Sequence, residues 1–134
     1  MKILIFSILF TSVIFLIIDI LWLSYSVKYF YRPNLGSLLT DKPVMWAAIS
    51  FYLLYIFCLS ILIIEPGVST NTLTKTFWLA VIFGMASYGT YNLTNMATIK
   101  NWSSTVVFVD LFWGGFLTGT SSTLGIFLSK KLFI

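Results

Sequence analysis

Two aspartates, Asp19 and Asp110, each sit inside a long apolar run. An aspartate at the centre of a bilayer costs about 2.5–3.5 kcal/mol to insert. Both are therefore expected to face protein, and membrane-buried ionisable groups are candidates for function. Polar and aromatic residues surround them at helical spacing. Asp19, Trp22, Leu23 and Ser26 share one stripe, Asp110, Trp113, Gly114 and Leu117 a second, and Tyr88, Tyr91, Asn92 and Asn95 a third. Tyr52 and Tyr55 lie near the middle of another apolar run and could floor a pocket between the stripes. The candidate ligand-binding set is Asp19, Trp22, Tyr52, Tyr55, Tyr88, Tyr91, Asn92, Asn95, Asp110 and Trp113. The competing reading is structural: buried aspartates accept hydrogen bonds from Tyr, Asn and Trp and so set helix register.

Other chemistry is excluded by what the chain lacks. Histidine is absent and Cys58 is the single cysteine. Imidazole bases, the usual zinc sites, an intrachain disulfide and a thiolate cluster all fall away. No catalytic residue, cofactor or metal is called for. The eight Lys and Arg residues are spread over every polar segment rather than clustered, which argues against nucleic acid as a partner.

The elements that must position these residues follow from composition. Hydrophobic residues make up 59% of the 134 residues and charged residues 9%, against about 25% charged in a soluble domain. A chain this short cannot bury so much apolar surface from water. The expectation is one all-α integral membrane domain, residues 1–134: a polytopic bundle of four transmembrane helices. The spans are expected at about 3–23, 45–64, 76–95 and 105–128, each near the roughly 20 residues that cross the hydrocarbon. The first run continues through Trp22, Leu23 and Tyr25 without a small-residue cleavage site, so it reads as a retained span rather than a signal peptide. Glu65-Pro66-Gly67 is expected to stop the second. The long Ser24–Val44 connection carries aromatic and basic residues and reads as a helical extension or an interfacial segment; Pro66–Lys75 is short and polar.

Four spans place the end of the first and the start of the fourth at one membrane face, so both aspartates should lie at similar depth near it. With no Lys or Arg inside a span, one should be protonated, or a cation or ligand donor should lie between them. Basic residues tie, with Lys2, Lys75, Lys130 and Lys131 against Lys28, Arg32, Lys42 and Lys100. The free amine of Met1 tips both termini to the cytoplasm. Ala80 and Gly84, Gly115 and Gly119, and the row Gly114, Thr118, Ser122 allow close helix approach, either within the chain or in a homo-oligomer through the Gly-rich faces of spans three and four.

Asp-x-x-Trp-Leu at Asp19–Leu23, Phe-Tyr-Leu-Leu-Tyr at Phe51–Tyr55, the segment Tyr88–Trp102 and Val-Asp-Leu-Phe-Trp-Gly at Val109–Gly114 resemble the bacterial membrane family catalogued as domain of unknown function 2177. The resemblance covers almost the whole chain, and Tyr91–Trp102 is its most specific part. That family more usually has Asp where this chain has Asn92, which removes a carboxylate there but not a polar contact. The resemblance implies a four-span protein of the bacterial inner membrane and no particular activity.

Three functions fit these residues. The first is a binding protein holding a lipid head group, a quinone-like molecule or another small amphiphile between Trp and Tyr walls, with membrane lipids as its partners. The second is a small proton-coupled exporter using Asp19 and Asp110. The third is a membrane-embedded lipid-modifying enzyme with the aspartates as acid and base, against which the missing histidine counts. The binding protein is the expectation.

Overall fold

The computed structural model describes residues 1–70 and 72–134; Asn71, inside the expected Pro66–Lys75 connection, lies outside them. Four helical rods follow one another: α1 over Lys2–Leu38, α2 over Met45–Ser69, α3 over Leu73–Thr98 and α4 over Ser104–Phe133. By length and composition α1, α2 and α4 can cross a membrane. The third expected span differs. At 26 residues, about 39 Å at 1.5 Å per residue, α3 is long enough, but its Thr- and Asn-bearing C-terminal half lowers its apolarity. Part of that polarity is turned inward, since Asn92 is buried.

The bundle is apolar outside, and its interior mixes a hydrophobic core around Phe15, Leu59, Ile64 and Leu117 with buried polar side chains. Leu21, Leu53 and Phe112 are each about two-thirds exposed, whereas Ser7, Thr11, Asn92, Thr118 and Ser122 are fully buried. That distribution suits lipid, which solvates alkyl side chains and leaves polar groups to find one another.

Close contact is concentrated where side chains are small. α3 and α4 pack most extensively, then α1 and α4. A Cβ on Gly84 would stand 2.1 Å from the carbonyl oxygen of Gly114, and one on Gly119 would stand 2.7 Å from Val81. The glycine rows of the third and fourth spans thus face each other inside the chain. On the other side of α4, a Cβ on Gly125 would stand 2.2 Å from the Thr11 hydroxyl. Ser129 donates to the carbonyl of Ile3 at 2.8 Å, and the rings of Phe6 and Phe133 are 4.7 Å apart. The chain's two ends therefore meet at one end of the bundle.

α2 is the outlying helix. Its last turns, Ser60–Ser69, approach the others at the terminal end of the bundle, while the backbone of Met45–Leu59 stands off from them. The gap is bridged by tyrosines, Tyr52 reaching Asp19 and Tyr55 reaching Thr118.

Both α1 and α2 run further than expected, by the same device. Each passes through a five-residue π-helical segment, Val27–Tyr31 and Ser60–Ile64, placed just before Arg32-Pro33 and Glu65-Pro66. Proline lacks an N–H, and its ring crowds the carbonyl four residues back. A π turn inserts one extra residue and widens the helix there, so each rod continues past its proline. Glu65-Pro66-Gly67, expected as a stop, lies inside a helical segment Glu65–Ser69. The Ser24–Val44 connection begins as the helical extension that was one of its two readings, and α1 ends only at Gly36–Leu38, where Gly36 takes φ +54°. Thr72 and Ser103 cap α3 and α4 through their hydroxyls, accepting from the N–H groups of Lys75 and Val106.

Candidate functional site

In the gap beside α2 lies a cavity of about 530 Å³. Seven of the ten expected residues line it: Asp19, Trp22, Tyr52, Tyr88, Tyr91, Asp110 and Trp113. It is positioned from four directions. α1 brings Asp19 and Trp22, the first half of α2 brings Phe51 and Tyr52, α3 brings Tyr88 and Tyr91, and α4 brings Asp110 and Trp113.

The two carboxylates are buried, at 5% and 6% exposure, and each is held by one phenol and one N–H donor. Asp19 accepts from the Tyr52 hydroxyl on Oδ2 at 2.5 Å and from Trp113 Nε1 on Oδ1 at 3.2 Å. Asp110 accepts from the Tyr31 hydroxyl on Oδ1 and from Asn92 Nδ2 on Oδ2 at 3.0 Å. The two halves meet through their indoles, since Trp22 and Trp113 stack with centroids 4.6 Å apart and planes at 21°. Trp22 Nε1 also donates to the Tyr31 oxygen at 3.2 Å. A carboxylate offers about four acceptor positions, so two on each aspartate stay open.

Three expected residues stand elsewhere. Tyr55 lies below the cavity, its hydroxyl 2.7 Å from that of Thr118 and its ring 5.2 Å from Phe15. Asn92 is behind Asp110, orienting it while donating to the Tyr88 carbonyl at 3.1 Å and accepting from Trp102 Nε1 at 3.4 Å. Asn95 is half-buried near the end of α3 and does not line the cavity.

Tyr31 was missed, because twelve residues from Asp19 in a regular α-helix would turn it about 120° away. The extra residue of the π segment removes one step, which leaves Tyr31 about 20° from the direction of Asp19. No spacing rule for an α-helix finds it; the Pro33 that accompanies the π turn was the available signal. Ala47 and Ala48, which make room at the rim, carry no chemical signal of their own.

The polar groups converging here are acceptors on carboxylates with donors already attached. The sole ion pair among the described residues, Arg32 with Asp41 at 3.4 Å, lies elsewhere and is largely exposed, so neither Asp19 nor Asp110 has a cationic partner there. No three His, Cys, Asp or Glu side chains converge among the described residues. Two carboxylates among phenols and indoles fall short of the six to eight oxygens a calcium-like cation takes.

No curated protein and no solved structure matches the chain. The family described as "Predicted membrane protein (DUF2177)" matches residues 4–127, a stretch that holds every residue of the cavity. The chain belongs to that family of membrane proteins.

Proposed function

We propose that the protein binds a lipid or small amphiphile in the cavity between α2 and the rest of the bundle. The observation that carries this reading is the cavity itself: about 530 Å³, within the 300–1,000 Å³ usual for small-molecule sites, mostly apolar with a few convergent polar groups. Asp19 and Asp110 are themselves almost covered, but the space beside them is not filled by protein. Here α2 stands off and leaves a cavity to whose wall both carboxylates belong.

The reading takes the bacterial inner membrane as the location and puts both termini in the cytoplasm, supported by the Met1 amine beside Lys2, Lys130 and Lys131. The cavity then faces the outer side. Native mass spectrometry of the purified protein beside an Ala48→Trp variant tests the binding. Ala48 is a half-buried cavity-lining residue near the start of α2, and an indole there takes up part of the space while both aspartates stay in place. An adduct kept by the wild type and lost from the folded variant is the expected result. Equal spectra would leave the cavity without a bound role.

A second reading, the proton-coupled exporter, draws on a separate observation. The hydroxyls of Ser7, Thr11, Ser121 and Ser122 are buried between the terminal end of the bundle and the cavity, without hydrogen-bond partners among the described residues. Buried hydroxyls without partners can hold water, and a hydrated seam would connect the aspartates to the other side. Proton uptake into vesicles that depends on an added cavity ligand and is abolished by Ser122→Val would favour this reading over a static binder.

A further inference from the structure

We propose that the cavity selects lipophilic cations: amphiphiles whose head is an ammonium group without a phosphate, seated between Asp19 and Asp110 and against the Trp22–Trp113 stack. This rests on the cavity being a binding site, and names the class of molecule it takes.

The first argument is the balance of donors and acceptors. The Tyr31 and Tyr52 hydroxyls donate to Asp110 and Asp19; the Trp113 indole donates to Asp19 and the Trp22 indole to Tyr31. Ser87 donates to the Phe83 carbonyl. Those donors are spent inside the wall. What remains open towards the cavity is carboxylate oxygen, which asks for a donor. A head group that only accepts, such as a carboxylate or sulfate, would meet the acceptor oxygens of two carboxyl groups. It would find only the phenols of Tyr88 and Tyr91 to satisfy it. An ammonium group brings up to three N–H donors to oxygens that have room for them.

The second argument is charge. Neither aspartate has an ion-pair partner among the described residues, and no Lys or Arg lines the cavity. Two buried carboxylates without a cation repel each other across a medium that screens poorly. A cation at the site relieves that repulsion without a proton on either carboxylate.

The third is the wall. Trp22, Trp113, Phe51, Tyr52, Tyr88 and Tyr91 line the space, and indole and phenol rings attract cations through their quadrupoles, more strongly where water is excluded. The same rings pack against alkyl chain. A phosphorylated head such as phosphoethanolamine fits poorly, because its phosphate would sit beside the aspartates with no basic residue to receive it.

The test is a matched series of decyl probes, decylammonium, decanamide and decanoate, titrated into the intact protein in a neutral maltoside detergent and read by native mass spectrometry. The wild type is expected to hold decylammonium about tenfold or more tighter than decanamide, and decanoate more weakly still. In Asp19→Asn with Asp110→Asn that preference disappears; Asp110→Asn alone, reducing it, serves if the double variant does not fold. Ala48→Trp expels every probe. Decanamide binding as tightly as decylammonium, with both expelled by Ala48→Trp, would overturn the cation selectivity and leave the amphiphile site standing. Probes that fail to bind, or that ignore Ala48→Trp, would overturn both. Nanodiscs of phosphatidylethanolamine and of phosphatidylglycerol separate the sources. Equal decylammonium affinity in the two supports a free amine, whereas its displacement by phosphatidylethanolamine would make the lipid head the ligand and defeat the exclusion of phosphate.

Discussion

The phenol of Tyr31 donates a hydrogen bond to Oδ1 of Asp110, joining the end of α1 to the start of α4 across 79 positions of sequence. Trp22 Nε1 donates in turn to the Tyr31 oxygen, so the phenol is a relay between an indole and a carboxylate. Side-chain hydrogen bonds between membrane helices average about 0.6 kcal/mol and reach about 1.7. A relayed bond to a buried acid belongs at the upper end. A double-mutant cycle of Tyr31→Phe and Asp110→Asn, followed by unfolding in mixed micelles, should therefore give a coupling of about 1–1.7 kcal/mol. A coupling near zero would mean that the two side chains are neighbours without being partners.

The bond exists because α1 carries one residue too many for a regular helix. The π segment Val27–Tyr31 is coupled to Pro33, and the two should be separable by mutation. Deleting the exposed Lys28 forces the regular helix and drives the Pro33 ring onto the carbonyl of Tyr29, at a cost of up to about 3 kcal/mol. Adding Pro33→Ala to the deletion removes that clash while Tyr31 keeps its direction, so most of the loss should return. Unfolding midpoints of the two variants check this. If the deletion alone is harmless, the π segment does not serve the proline.

Part of the site could be read from residue types because it obeys α-helical spacing. Asp19 with Trp22 and Asp110 with Trp113 are three apart and point together, and their pairing at one membrane face follows from counting spans. What could not be read was depth within the bundle. Tyr52 and Tyr55 look alike in sequence, yet the standing-off of α2 brings Tyr52 to Asp19 while Tyr55 sinks to Thr118. Asn95 shares its stripe with Asn92, but only Asn92 meets an oxygen of α4. The irregular turns before Pro33 and Pro66 were invisible to any fixed period.

The glycines of α3 offer a graded test of packing. A Cβ on Gly84 would meet the Gly114 backbone at 2.1 Å, where nothing can yield without parting the helices. One on Gly89 would meet only the end of the Leu111 side chain, at 3.0 Å. Gly84→Ala should cost about 1–3 kcal/mol as an overpacking change. Gly89→Ala should be near neutral, since a helix-propensity gain of up to about 1 kcal/mol offsets a small rotation of Leu111. Thermal unfolding in detergent ranks them. Equal losses would show that the close approach of α3 and α4 at Gly84 does not govern stability.

The orientation of the cavity is open to a chemical test. Ala48 lines it near the start of α2, and Cys58 is the single native thiol. An Ala48→Cys, Cys58→Ser protein therefore presents one thiol at the cavity mouth. Met45 begins α2 at the end of the bundle opposite the termini, so with cytoplasmic termini this thiol faces outwards. A membrane-impermeant methanethiosulfonate reagent should then modify right-side-out vesicles and spare inverted ones. Prior addition of decylammonium should slow the reaction, because the amine and the thiol share the space. Modification only in inverted vesicles would reverse the orientation. Comparable modification in both preparations would mean that the four-to-four tie of basic residues is real and that the chain inserts both ways, the arrangement an antiparallel pair of exporters would use.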